Sequence, residues 1–163
     1  MTAGQTDSEL VAVLEEQERR LVLRKFSYED AWRLGSLLVE LGRQRQLPIA
    51  VDIRCGAQQV FHCALAGSSA DNDAWIDRKR RVVERYGHSS YLVGTRFGAT
   101  GTDFDRSSRL DIDVYAAHGG SFPLRVSGVA PVVGAVTVSG LAQAEDHALV
   151  VEALELFVAG EHV

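Results

Sequence analysis

A lysine on the apolar stripe of a helix calls for an explanation, and this sequence has one. From about 71–86 the pattern predicts a helix on which Asn72, Trp75, Lys79, Val82, Val83 and Tyr86 share a stripe. Lys79 lies between Trp75 and Val82, while the rest of the basic run, Arg78, Arg80 and Arg81, points elsewhere. One reading is that its methylenes snorkel over apolar surface. The other is an ammonium held at a pocket wall, paired with a ligand anion or an internal acid, with Trp75 and Asn72 lining the same pocket.

Three further stretches carry groups of chemical interest. In Ala117-His118-Gly119-Gly120-Ser121-Phe122-Pro123, two glycines let backbone approach a ligand closely or simply make a tight turn, and His118 beside them is a ligand contact or proton carrier. In Gly87-His88-Ser89-Ser90-Tyr91, a helix break followed by a serine N-cap competes with a catalytic role for His88. In Val138-Ser139-Gly140-Leu141, followed by Glu145-Asp146-His147, a strand, a glycine turn and a helix start suit an anion, but the two acids already occupy that field. His147 shares a stripe with Val150, Val151, Leu154 and Val158. It is either a hydrogen-bonded core histidine or a metal or haem ligand.

Other chemistries lack their signatures. No G-x-G-x-x-G or phosphate-loop pattern is present. Histidines at 62, 88, 118, 147 and 162 form no H-E-x-x-H or comparable spacing, so no metal site is expected. Axial haem ligation needs only one or two residues, so spacing does not test it. Cys55 and Cys63 read as thiols in a reducing compartment, the alternative being a disulfide near the open end of one hairpin. The net charge of −5 makes a poor general binder of nucleic acid or anionic membrane, and no run approaches the roughly 20 apolar residues of a membrane span. The polar, acidic start carries no visible signal peptide, which leads to an expected cytoplasmic location.

The elements that must position these residues are legible from periodicity and turns. Residues 1–7 read as a disordered lead, 8–160 as one domain and 161–163 as a tail. Helices are expected at 8–20, 27–45, 71–86, 89–97, 111–116 and 142–159, the second opened by a capping box at Ser27. Strands are expected at 21–25, 49–54, 58–65, 122–127 and 132–139, the last central and buried on both faces. Residues 98–108 read as the most mobile loop. Two hairpins separated by helices make an α+β domain, with an antiparallel sheet of about five strands flanked by helices.

Taken together, the motifs resemble a known family. They are Tyr28-Glu29-Asp30-Ala31-Trp32, Val51-Asp52-Ile53-Arg54, and Ala70-Asp71-Asn72-Asp73-Ala74-Trp75 through Lys79. Gly87-His88-Ser89-Ser90, Tyr115 through Pro123, and Thr137-Val138-Ser139-Gly140-Leu141 with Glu145-Asp146-His147 complete the set. The chain is similar over about residues 10–159 to the uncharacterised "haem-degrading domain" family, relatives of the GlcG and HbpS-like proteins. The resemblance implies a GlcG/HbpS-like, profilin-like architecture, assembly with itself into dimers or larger rings, and haem or a related tetrapyrrole as candidate cofactor.

The expected function is therefore that of an oligomeric small-ligand-binding protein. Its contact residues would be Asn72, Trp75, Lys79, His118, Gly119, Gly120 and His147. The alternatives are a non-enzymatic assembly protein, in which the amphipathic segment 10–21 covers a neighbour, or an enzyme using Lys79, His118 and Asp146, with Asp71 and His88 as further candidates.

Overall fold

The computed structural model describes residues 3–161. Six helices and four strands follow in the order α1 (Ala3–Arg20), α2 (Tyr28–Gln44), β1 (Ala50–Cys55), β2 (Gln58–Ala64), α3 (Ala70–Tyr86), α4 (Ser90–Ala99), α5 (Phe104–Ser107), β3 (Ser121–Leu124), β4 (Gly134–Ser139) and α6 (Gln143–Gly160). The strands form one antiparallel sheet in the order β2-β1-β4-β3. Both expected hairpins are present, and β4 is central and buried.

Strand alternation sends two different chemistries to the two faces of the sheet. Val51, Ile53, Phe122, Leu124, Val136 and Val138 join the main core with Leu34, Leu38 and Leu41 of α2 and Leu149, Val150 and Leu154 of α6. The opposite face is polar yet covered. Asp52, Thr137 and Ser121 lie on one cross-strand row, and none is more than marginally exposed. There the Ser121 and Thr137 hydroxyls bond at 2.8 Å, Ser121 N–H donates to Ser90 Oγ at the start of α4, and α3 packs over the row. A second small core of Val82, Val93, Phe104 and Ala117 seals that layer, and α1 lies outside it against α4.

Local signals explain most boundaries. Ser27 accepts the Asp30 N–H at 3.1 Å while Asp30 accepts the Ser27 N–H at 2.9 Å, the reciprocal box that opens α2. Gly87 ends α3 in the left-handed region at φ 71°, and Ser89 caps α4 through the Leu92 N–H.

Several expectations need correction. The fifth strand is absent. Of 21–25 only Leu23 pairs, as a single parallel bridge to Val126, because Arg24 and Lys25 turn out to solvent. The helix expected at 111–116 is a turn closed by Tyr115 N–H to Asp111 O. The short helix lies instead at Phe104–Ser107, where Asp103 caps the Arg106 N–H at 2.9 Å, so 98–108 is not one loop. Helix α1 begins at Ala3 rather than at residue 8, and it packs on its own chain. Met1, Thr2, His162 and Val163 lie outside the described residues. Cys55 pairs across the hairpin with Gln58 and Cys63 with Val51, so four residues of strand, roughly 13 Å, separate them and both are free thiols.

Candidate functional site

Three element starts meet at one end of the polar sheet face. They are the first turns of α3, the loop that leads into β3, and the turn between β4 and α6. Between them lies a cleft of about 220 Å3 lined by Asn72, Trp75, Lys79, His118, Ser139 and Asp146, with Asp71, Gly140, Leu141 and Gln143 completing it. Asn72, Trp75 and Lys79, singled out on one helix stripe, thus share one cavity with His118 from a separate glycine-rich motif.

Lys79 does more than snorkel. Its side chain is buried, and Nζ donates to Asp146 Oδ2 at 3.0 Å and to the Val138 carbonyl at 3.2 Å. Asp146 is equally buried and accepts the Leu141 N–H on Oδ1 at 2.9 Å, so one carboxylate ties α3, the β4–α6 turn and α6 together. Burial pushes the Lys79 ammonium below the ordinary lysine range against the pull of Asp146. Burial likewise pushes Asp146 up, opposed by Lys79 and the turn amides. The short contact and the amide donors on Asp146 favour the charged pair. An ammonium carries three donors, so Lys79 retains one beyond these two contacts.

The neighbouring groups are set as deliberately. Asn72 accepts the Ser69 N–H at 2.9 Å and donates to Ser139 Oγ at 3.4 Å, joining the start of α3 to the end of β4. Trp75 carries the Arg78 guanidinium 4.0 Å above its ring and the His118 ring 5.2 Å away. Desolvation against that wall pushes the His118 pKa below its usual value. Asp105 opposes this, while Lys79 and Arg78 reinforce it. His118 remains exposed at the rim. It also borders a second cleft of about 300 Å3 with Tyr91, Thr95, Asp103 and Asp105, and Gln143 lines both cavities.

Gly119 and Gly120 are packing solutions under this site. A Cβ on Gly119 would sit 2.2 Å from the Gln143 carbonyl oxygen, and its N–H donates to Gln143 Oε1 at 3.1 Å. Gly120 has φ 136°, and a Cβ there would lie 2.4 Å from the Val138 carbonyl oxygen and 2.7 Å from Lys79 Nζ.

His147 stands apart, outside the lining of either cleft. It is sealed between the rings of Tyr91 and Phe122, and its Nε2–H donates to Gln17 Oε1 of α1 at 2.7 Å. Nδ1 has no partner, and burial lowers the pKa to about 4. His88 is elsewhere too, with Nδ1 3.2 Å from Glu18. Among the described residues no group of three or more metal-ligating side chains converges. Gln143 and Gln17 were not anticipated. Gln17 shares a helical face with Leu10, Val13 and Leu14, and Gln143 lies in the turn motif before Asp146, but what their amides meet depends on which loop or helix the fold brings alongside.

Comparison with known proteins agrees with this architecture. Residues 26–155 match the family described as haem degrading protein HbpS-like. A UPF0303 protein of Streptomyces coelicolor is 71% identical over 148 residues, covering 91% of this chain and 93% of the relative. One from Rhizobium etli is 47% identical over 144 residues, covering 88% and 87%. Among solved structures, the Ybr137w protein superposes with a TM-score of 0.87 at 31% identity, covering 94% of this chain and 90% of that one. A PduOC:heme complex superposes at 0.67 with 16% identity, covering 80% and 93%, and HbpS at 0.63 with 14% identity, covering 80% and 88%. At those identities the last two show the fold alone.

Proposed function

The chain belongs to the HbpS-like family of haem-degrading proteins, and from that premise we propose that it binds a small ligand in the Lys79–His118 cleft, with haem or a related tetrapyrrole as the ligand class. The observation that carries the reading is the convergence of Asn72, Trp75, Lys79 and His118 on one cavity beside a buried Lys79–Asp146 pair. PduOC, a neighbour in fold, forms a complex with heme, which supports the choice of tetrapyrrole.

The donor set fits haem at one histidine. His118 has the lowered pKa that favours the neutral imidazole a metal needs, and it stands exposed where two clefts meet. His147 lacks that access. When bound, haem supplies an iron centre for ligand and redox chemistry. The chain's part is to offer the His118 nitrogen, to wall one side with Trp75, and to meet charged groups of the ligand with Asn72, Ser139 and the remaining Lys79 donor. Gly119 and Gly120 keep the backbone close beneath. No described helix is long and apolar enough to cross a membrane. We place the protein in the cytoplasm, assembled with copies of itself.

Hemin titration tests the ligand. A saturable Soret shift is expected in the wild type and in His147→Ala, and its loss or displacement in His118→Ala. An identical shift in His118→Ala removes His118 from the reading, and the absence of any saturable shift removes haem. A catalytic reading is favoured by one feature, the buried ion pair beside a titratable imidazole. It requires a Soret band that decays with turnover in the wild type, with Lys79→Met abolishing decay even at hemin concentrations that saturate its weakened site.

A further inference from the structure

The motif Gly87-His88-Ser89-Ser90 has no part in the Lys79 cleft and borders a cavity of its own. This cavity of about 410 Å3 lies between the end of α1, the start of α4 and the segment that follows β3. Val22, His88 and Leu92 line it together with the side chains of Arg19, Arg96 and Arg125. It shares no lining residue with the Lys79 cleft or the Tyr91 cleft. Its volume falls in the range typical of small-molecule sites.

One wall of the cavity is a buried carboxylate, Glu18 of α1. His88 Nδ1 lies 3.2 Å from its Oε1 and 3.3 Å from its Oε2, and Arg125 Nη2 donates to Oε1 at 3.2 Å. A carboxylate only accepts, so Nδ1 carries a proton, and Nε2 of the ring has no partner among the described residues. Arg125 Nη2 also donates to the Gly87 carbonyl, one residue before the imidazole. A single buried acid thus fixes both the ring and the guanidinium at the cavity.

The hydrogen-bonding capacity left over is of one kind. Arg19 donates from Nε and Nη2 to Glu16, which lies outside the cavity, and Arg96 donates from Nη2 to Glu15 at 2.9 Å. Each guanidinium carries five donors, and Nη1 of all three arginines has no acceptor among the described residues. A second proton on Nε2 makes His88 one more donor, with Glu18 behind it to balance the charge. Three guanidiniums against the two carboxylates of Glu15 and Glu18 make the cavity locally cationic in a chain of net charge −5. Between these donors the wall is apolar, built from Val22 and the arginine methylenes with the buried Leu92 behind them. We propose that this cavity is a second ligand site, which takes a small carboxylic acid with an apolar body such as an acyl chain. The carboxylate meets Arg96, Arg125 and His88, and the chain lies along Val22 and Leu92. An ammonium would face surplus donors of its own sign, and a neutral apolar guest would leave them unmatched.

This site is separate from the Lys79 cleft and stands or falls independently of haem. Octanoate titrated into the full chain by calorimetry should bind saturably, with octanol and octylamine weaker by about tenfold or more. Arg96→Gln, which removes a rim charge, and Val22→Trp, which fills the apolar wall, should each weaken octanoate by about tenfold. In the wild type, octanoate should shift the His88 ring signals in NMR spectra, assigned with His88→Gln. The absence of saturable octanoate binding overturns the proposal, and so does equal affinity for octylamine. Undiminished affinity in Arg96→Gln overturns it too, and a loss in His118→Ala in that case locates the acid in the other cleft. Should Val22→Trp misfold, Arg96→Gln and the His88 signals decide, and a ring unmoved at saturating octanoate overturns the site.

Discussion

Lys79 and Asp146 are both buried and answer each other at 3.0 Å. Removing one partner leaves the other charge without compensation, which typically costs about 3–5 kcal/mol. Lys79→Met should lose stability of that order in urea unfolding, and the Lys79→Met/Asp146→Leu double variant should recover much of it. In the single variant the raised Asp146 pKa means the native state holds a proton that the unfolded state releases, so stability should fall as pH rises above the carboxylate's unfolded value. His147 has the opposite sign. Its folded pKa is about 4 against 6.5 unfolded, so below 6.5 the unfolded chain takes up a proton that the native core refuses. Stability from this group is complete above 6.5 and falls by about 3 kcal/mol as pH drops towards 4. Melting curves across that window should be flatter in His147→Gln than in the wild type. Gly120→Ala faces both a φ of 136° and the Val138 carbonyl oxygen, and should lose about 1–3 kcal/mol while displacing Lys79.

At the scale of elements, the Ser27–Asp30 box makes a direct test of local coding. Ser27→Ala should cost about 1 kcal/mol, read by chemical denaturation. Helix α2 is readable from its capping box and apolar period, α3 and α6 from apolar periods bounded by glycine, and both hairpins from their short turns. The expected strand at 21–25 failed for a reason periodicity does not carry. Leu21 and Leu23 are buried as a strand's would be, but Arg24 and Lys25 turn out to solvent and only Leu23 bridges the sheet. The expected helix at 111–116 lost to a four-residue one whose signal was a single cap, Asp103. At the site, Asn72, Trp75 and Lys79 were legible because they share a helix face. Asp146 as the partner of Lys79, and Gln143 under Gly119, were not, since each meets its counterpart only across the assembled layers.

For the molecule as a whole, α1 acts as a brace on its own chain. Glu15 pairs with Arg96 at 2.9 Å, Glu18 with Arg125 at 3.2 Å, and Gln17 receives the His147 N–H. Deleting residues 1–20 would bare the buried Leu14 contact and the His147 ring, so the truncated chain should melt earlier and bind a hydrophobic dye. An unchanged melting temperature would contradict the brace.

His118 and Gln143 form a common wall between the Lys79 cleft and the Tyr91 cleft. Two chambers with one partition do not fill independently. Any occupant that tilts the imidazole towards Trp75 narrows one chamber as it widens the other. The two occupancies are then thermodynamically linked, and whatever factor one guest imposes on its neighbour's affinity is returned in equal measure.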